Sequence, residues 1–237
     1  MTAALAVKLA LSTRSFSLDV AFTVEPGITV LFGPSGSGKT RTLGCIAGIA
    51  RPDSGRVALG DDVWFDSAKA VDRAIHERHV AYVFQSLALF PHMTAAENVA
   101  YGMDRSLEKE ARRAKAEELL GKMHVGHLVE RRPRTFSGGE AQRVALARAF
   151  GMTPKALLLD EPFSALDGKT KRELWAEVAA WVEREKLPTI LVTHQTDEAR
   201  ALGKRIIFLE KGRIVESSEM ADAMLSEPRV PVATTRA

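Results

Sequence analysis

Eight consecutive residues carry the clearest chemistry in the chain: Gly33, Pro34, Ser35, Gly36, Ser37, Gly38, Lys39 and Thr40. They fit G-x-x-x-x-G-K-[ST], a loop whose backbone N–H groups cradle phosphates. Glycines let the backbone turn inward around an anion, and a following helix adds partial positive charge at its N-terminus. Lys39 is placed to reach the outer phosphates of a bound polyphosphate, and the Thr40 hydroxyl to ligate a magnesium ion. The apolar run 28–32 before the loop reads as a strand, and residues 41–49 after it as a helix, the context such a loop needs.

A magnesium–phosphate site also needs a carboxylate. Leu157, Leu158 and Leu159 make a buried strand that delivers Asp160 at its carboxyl end, where it would hold hydrated magnesium. Glu161, one residue on, is placed to polarise an attacking water as general base, although it could also simply cap the next turn. Gln85 ends the strand 80–84, where its amide would meet magnesium or that water. His194 ends the strand 189–193, within reach of a terminal phosphate. Ser137, Gly138 and Gly139 open a strong helix and form a second anion cradle of N–H groups and a hydroxyl. Alone, a histidine at a strand end or a Ser-Gly-Gly turn has a plain structural explanation. Their joint order along one chain does not.

The elements that must position these groups follow from periodicity. Alternation at Phe16, Leu18, Val20, Phe22 and Val24 predicts a strand, broken by a turn at Pro26 and Gly27. Residues 56–59 and 63–65 around Gly60 predict a hairpin, and 80–84 a short buried strand. From Ser86 to Gly151 the pattern is helical, with Leu107, Ala111, Ala114, Leu119 and Met123 as the expected apolar stripe. Strands return at 156–160, 189–193 and 205–209, with an amphipathic helix over 169–185. Continuous apolar strands between helices imply a buried, largely parallel α/β sheet interrupted by a helical subdomain. Residues beyond Glu227 are expected to fray.

Composition narrows the class. The 237 residues suffice for one substantial core, and no apolar stretch reaches the ~20 residues that cross a bilayer. The N-terminus lacks a signal-peptide layout, and the single Cys45, expected to be buried and inert, suits a reducing cytoplasm. A net charge of +3 gives no footprint for nucleic acid, and the cluster Arg131, Arg132 and Arg134 reads as a solvated turn.

At these residues the chain resembles the ATP-binding-cassette (ABC) ATPases from about Leu9 to Glu216, with phosphate loop, glutamine loop, signature, acidic strand, aspartate loop and switch histidine in family order. The resemblance implies a P-loop NTPase fold: a RecA-like core with an antiparallel β subdomain (1–85 and 155–220) and an inserted helical signature subdomain (86–154). It implies two cassettes head to tail, ATP and Mg2+ on Lys39 and Thr40 of one closed over by Ser137 and Gly139 of the other, with Asp167 coupling the two sites. The second cassette is most simply another copy of the chain. Phe136 and Glu140 depart from the usual leucine and glutamine of the signature but keep its serine and glycines. The adenine-stacking aromatic is open: Phe16 is a candidate beside Arg14, and equally a core strand residue, while Trp64 reads as hairpin packing.

Residues 85–99, from Gln85 to Val99, are similar to the segment of bacterial importer ATPases that meets the membrane permease. Segments 27–33, 82–92 and 97–103 look most like molybdate and related oxyanion importer ATPases; iron, sulfate, phosphate and polyamine importers share most of the motifs. The expected role is a peripheral ATPase on the cytoplasmic face of the membrane, serving a solute-binding protein indirectly and carrying no C-terminal regulatory domain. A soluble ABC ATPase acting on DNA or ribosomes would carry two cassettes or a coiled-coil insertion. A P-loop kinase would leave the Ser137 cradle and His194 unexplained.

Overall fold

The computed structural model describes residues 3–215; the expected fraying beyond Glu227 lies outside them. Among the described residues, eleven strands form one sheet whose two halves differ in kind. The parallel half contains β3 (Gly27–Phe32), β7 (Val80–Val83), β8 (Ala156–Asp160), β9 (Pro188–Thr193) and β10 (Arg205–Glu210), ordered β10-β3-β9-β8-β7. The antiparallel half contains β1 (Leu5–Ser12), β2 (Ser17–Val24), β4 (Ser54–Leu59), β5 (Asp62–Asp66) and β6 (Val71–Asp72). Strand β11 (Arg213–Val215) joins them, antiparallel to β10 and parallel to β2 through Arg213 and Asp19.

Period-2 alternation divides the parallel strands between two cores. Ile28, Val30, Phe32, Leu157, Leu159 and Leu191 face one side. Leu31, Leu158, Ile190 and Val192 face the other. On the first side lie α2 (Ala95–Ala100), α3 (Lys109–Lys122), α4 (Gly138–Gly151) and α5 (Gly168–Glu185). On the second, α1 (Lys39–Ala47) is sandwiched against the antiparallel strands by Leu43, Ile46 and Ala47. A short α6 (Thr196–Leu202) follows β9.

Two expectations need correction. The apolar stripe of α3 runs through Ala116, Leu119, Leu120 and Met123, while Leu107, Ala111 and Ala114 are exposed. Alanine is compatible with either face, so the leucines and methionine decide which side packs. Strand β7 is only partly buried, because it is the last strand of the sheet; Val80 and Tyr82 lie half-open on its outer side. The hairpin over 54–66, buried Cys45 and the exposed arginines 131, 132 and 134 match the expectations.

Candidate active site

The parallel strands explain why distant residues meet. The P-loop follows β3, His194 follows β9, Glu161 follows β8 and Gln85 follows Phe84 beyond β7, and these four strands are adjacent in the order β3-β9-β8-β7. All four groups therefore emerge at the carboxyl ends of neighbouring strands, where open α/β sheets bind ligands. A cleft of about 850 Å³ opens there, and its lining includes Ser35, Gly36, Gly38, Lys39, Thr40, Gln85, Glu161 and His194.

The loop's glycines are required by geometry at two points. A Cβ on Gly33 would sit 2.1 Å from the Leu209 carbonyl oxygen, and one on Gly38, at φ 107°, would meet the Phe16 ring at 2.7 Å. Gly38 is also the N-cap of α1, with no capping side chain and no acidic residue in the first turn. The free N–H groups of that turn are left to an anion. Lys39 is 6% exposed and donates from Nζ to the carbonyls of Gly33 and Pro34, each at 2.8 Å. Burial lowers its pKa, opposed by the charges of Glu161 and Asp160. Gly33, Pro34 and Ser37 do not line the cleft, and the Ser37 N–H donates within the loop to the Pro34 carbonyl at 3.2 Å.

Beneath the loop, Asp160 is 2% exposed, and burial raises its pKa. Its two oxygens accept from Thr40 Oγ1 at 3.2 Å and from the Tyr82 hydroxyl at 3.3 Å. A hydroxyl, a carboxylate and the nearby Gln85 amide are hard oxygen donors, the set a magnesium ion takes alongside phosphate oxygens. A buried carboxylate that lacks a cationic partner within hydrogen-bonding distance fits such an ion. Glu161 stands at φ 49°, a strained position for a non-glycine residue, secured by its N–H donating to the Val192 carbonyl at 3.0 Å. Its carboxylate is gripped from both sides: Gln85 Nε2 at 3.2 Å on one oxygen and His194 Nδ1 at 2.9 Å on the other.

Ser137, Gly138, Gly139 and Asp167 lie outside this cleft. Ser137 caps α4, and Gly139 abuts the segment before Asp167, where a Cβ would meet Leu166 Cδ2 at 3.1 Å. Asp167 caps α5, accepting from the N–H groups of Lys169 and Thr170. Gln142 ties the two regions by donating to Ser164 Oγ at 3.0 Å and accepting from the Ala165 N–H at 3.1 Å. Trp64 is fully buried in the hairpin, and half-buried Phe16 lines the cleft beside the P-loop. Sequence reasoning passed over Tyr82 and Phe84, which stack at 4.1 Å and wall the cleft. Their spacing of two along a strand was the available signal, since it puts both on one face.

A phosphate loop after β3, paired carboxylates at the end of β8 across β9 in the same parallel half-sheet, an antiparallel half-sheet and an inserted helical block define a nucleotide-binding cassette. A family model described as ABC transporter matches residues 18–164, and the chain belongs to that family. Among curated relatives, it is 42% identical over 228 residues to the molybdenum import ATP-binding protein ModC of Rhizobium meliloti, covering 94% of this chain and 62% of the relative. It is 39% identical over 214 residues to the ModC of Rhodospirillum rubrum, covering 90% and 57%. The chain thus spans about three fifths of the length of these relatives. A dimeric ATP-binding cassette in a post-hydrolysis state bound to ADP and Pi superposes with TM-score 0.78 at 27% identity, covering 91% of this chain and 97% of that one. A dimeric bacterial ABC transporter cassette superposes with TM-score 0.77 at 28% identity, covering 89% and 96%.

Proposed function

We propose that this chain is the ATP-binding and ATP-hydrolysing subunit of an ABC importer for molybdate or a related oxyanion. The observation that carries the ATPase reading is Glu161, held between Gln85 and His194 at the rim of the phosphate-loop cleft. ATP enters with its outer phosphates against Lys39, Ser35, Gly36 and Gly38, and Phe16 is positioned to stack on the base. Magnesium held by Thr40, Asp160 and Gln85 would offset charge on the phosphates. A water attacks the terminal phosphorus as its proton passes to the Glu161 carboxylate, and the bond to the bridging oxygen breaks to give ADP and phosphate. His194 orients Glu161 and faces the terminal phosphate.

Placement of the signature outside its own cleft supports a site completed by a second copy, with Ser137, Gly138 and Gly139 of each protomer over the other's triphosphate and Asp167 at their junction. The dimeric neighbours favour the same arrangement. The core would comprise 1–85 and 155–220, and 86–154 would carry the signature and meet the permease through residues 85–99. No helix among the described residues is long and apolar enough to cross a membrane, which suits a peripheral subunit on the cytoplasmic face. A solute-binding protein would act through the permease. The oxyanion assignment draws on the printed function of relatives near 40% identity.

Glu161→Gln should slow hydrolysis at least ~100-fold, a typical general-base contribution, while ATP still binds; parental turnover would remove the base assignment. Deleting the coding sequence should abolish uptake of radiolabelled molybdate. Normal uptake would exclude molybdate and leave iron, sulfate, phosphate or polyamine as cargo.

A further inference from the structure

The signature of this chain carries a carboxylate, Glu140, directly on its serine. Glu140 Oε2 accepts both the Ser137 N–H at 2.7 Å and the Ser137 hydroxyl at 2.9 Å. Ser137 Oγ in turn accepts the Glu140 N–H at 3.3 Å, completing a capping box. The other carboxylate oxygen meets His127 Nε2 at 2.9 Å. His127 belongs to a separate turn, Gly126–Leu128, fixed to the core by fully buried Val125 and Leu128. A carboxylate only accepts, so Nε2 carries the hydrogen of that bond. These bonds hold the carboxyl in its ionised form, well below the usual range.

Two consequences follow. A serine hydroxyl has one hydrogen, so a Ser137 that donates to Glu140 cannot also donate to a phosphate oxygen. A carboxylate beside an incoming triphosphate also repels it. We propose that Glu140 and His127 form a charge latch on Ser137 that sets the ATP concentration at which the signature closes over a facing triphosphate. Glu140 opposes closure by retaining the hydroxyl hydrogen and by its charge, and His127 tempers both by drawing the carboxylate toward its own N–H. The latch rests on the two-copy reading given above and makes these two residues positioning groups for it.

ATP-dependent dimerisation of the full chain, followed by analytical ultracentrifugation in the Glu161→Gln background, tests the latch. Glu140→Gln keeps the capping box, because its amide oxygen still accepts the Ser137 N–H. It should lower the ATP needed for half-maximal dimerisation about fivefold, the size of one close charge interaction near a surface. High salt should narrow that gap. His127→Ala, at an exposed ring, should raise the half-saturating ATP about threefold, the size of one exposed hydrogen-bonded pair, and do nothing once Glu140→Gln is present. A merely structural pair would shift thermal stability without this charge-dependent coupling. Dimerisation at an unchanged ATP concentration in either single variant, or equal His127→Ala effects in both backgrounds, would overturn the latch alone. Protein that binds ATP yet never dimerises would overturn the two-copy reading along with it.

Discussion

Asp160 and Glu140 show how opposite environments act on two carboxylates. Asp160 is almost fully buried between Thr40 and Tyr82, and desolvation penalises its charge. Its Asn variant keeps the shape and can bond both hydroxyls without that penalty. Asp160→Asn is therefore expected to raise the stability of the nucleotide-free chain by about 1 kcal/mol in urea denaturation. The same change should weaken magnesium-dependent ATP binding, measured by titration calorimetry with and without the metal. Glu140 has the reverse character: hydrogen bonds from the Ser137 backbone, His127 and the Ser137 hydroxyl depress its pKa from 4.5 to about 2. A depressed carboxylate contributes stability that is present above its unfolded pKa and lost as pH falls toward the folded one. Between pH 4.5 and about 2 the parental chain should lose stability faster than Glu140→Gln. Parallel acid-unfolding curves for the two would refute this.

Single arginines lock elements to one another. Arg78, 1% exposed, donates from Nη1 to the carbonyls of Cys45 and Ile46, from Nε to that of Arg73, and from Nη2 to Asp72. It thereby caps the carboxyl end of α1, the helix whose other end opens on the cleft, and ties it to the antiparallel half of the sheet. Arg78→Ala removes the donor to the Ile46 and Arg73 carbonyls, while that of Cys45 keeps the Gly48 N–H, and should cost about 3 kcal/mol, seen as a lower urea midpoint at unchanged slope. Arg148 on α4 plays a comparable part. Its guanidinium donates to the carbonyls of Leu87 and Ala88, each at 2.8 Å, and these residues stand at φ 62° and 45°. The loop after Gln85 is thus pinned in a strained form to the signature helix.

At the scale of the whole molecule, the cleft and the signature belong to one chain but not to one site. Glu161→Gln protein should run as a monomer without ATP and as a dimer with it, by size-exclusion chromatography with light scattering. Adding Ser137→Ala should shift that dimerisation to higher ATP. A dimer that forms equally without nucleotide would refute the closure mechanism.

Much of this was legible from the chain alone. The phosphate loop is local: eight adjacent residues between a strand and a helix fix both its chemistry and its backbone path. Continuous apolar runs at 28–32 and 157–159 revealed strands with two buried faces, because successive side chains along a strand point to opposite sides. The α3 stripe was misread over 107–114, since alanines take their face from whatever packs on them. Tyr82 was missed because nothing in its own segment indicates Asp160, which lies 78 residues away.

Sequence alone determined the elements and the kinds of chemistry available, because propensity, periodicity and loop geometry act between near neighbours. Only the tertiary structure decided that Gln85 and His194 grip one carboxylate, that Tyr82 reaches Asp160 and that Glu140 holds Ser137 together with His127. Those contacts depend on strand order and helix docking, which are set by the burial of two cores across the whole chain rather than by any one segment.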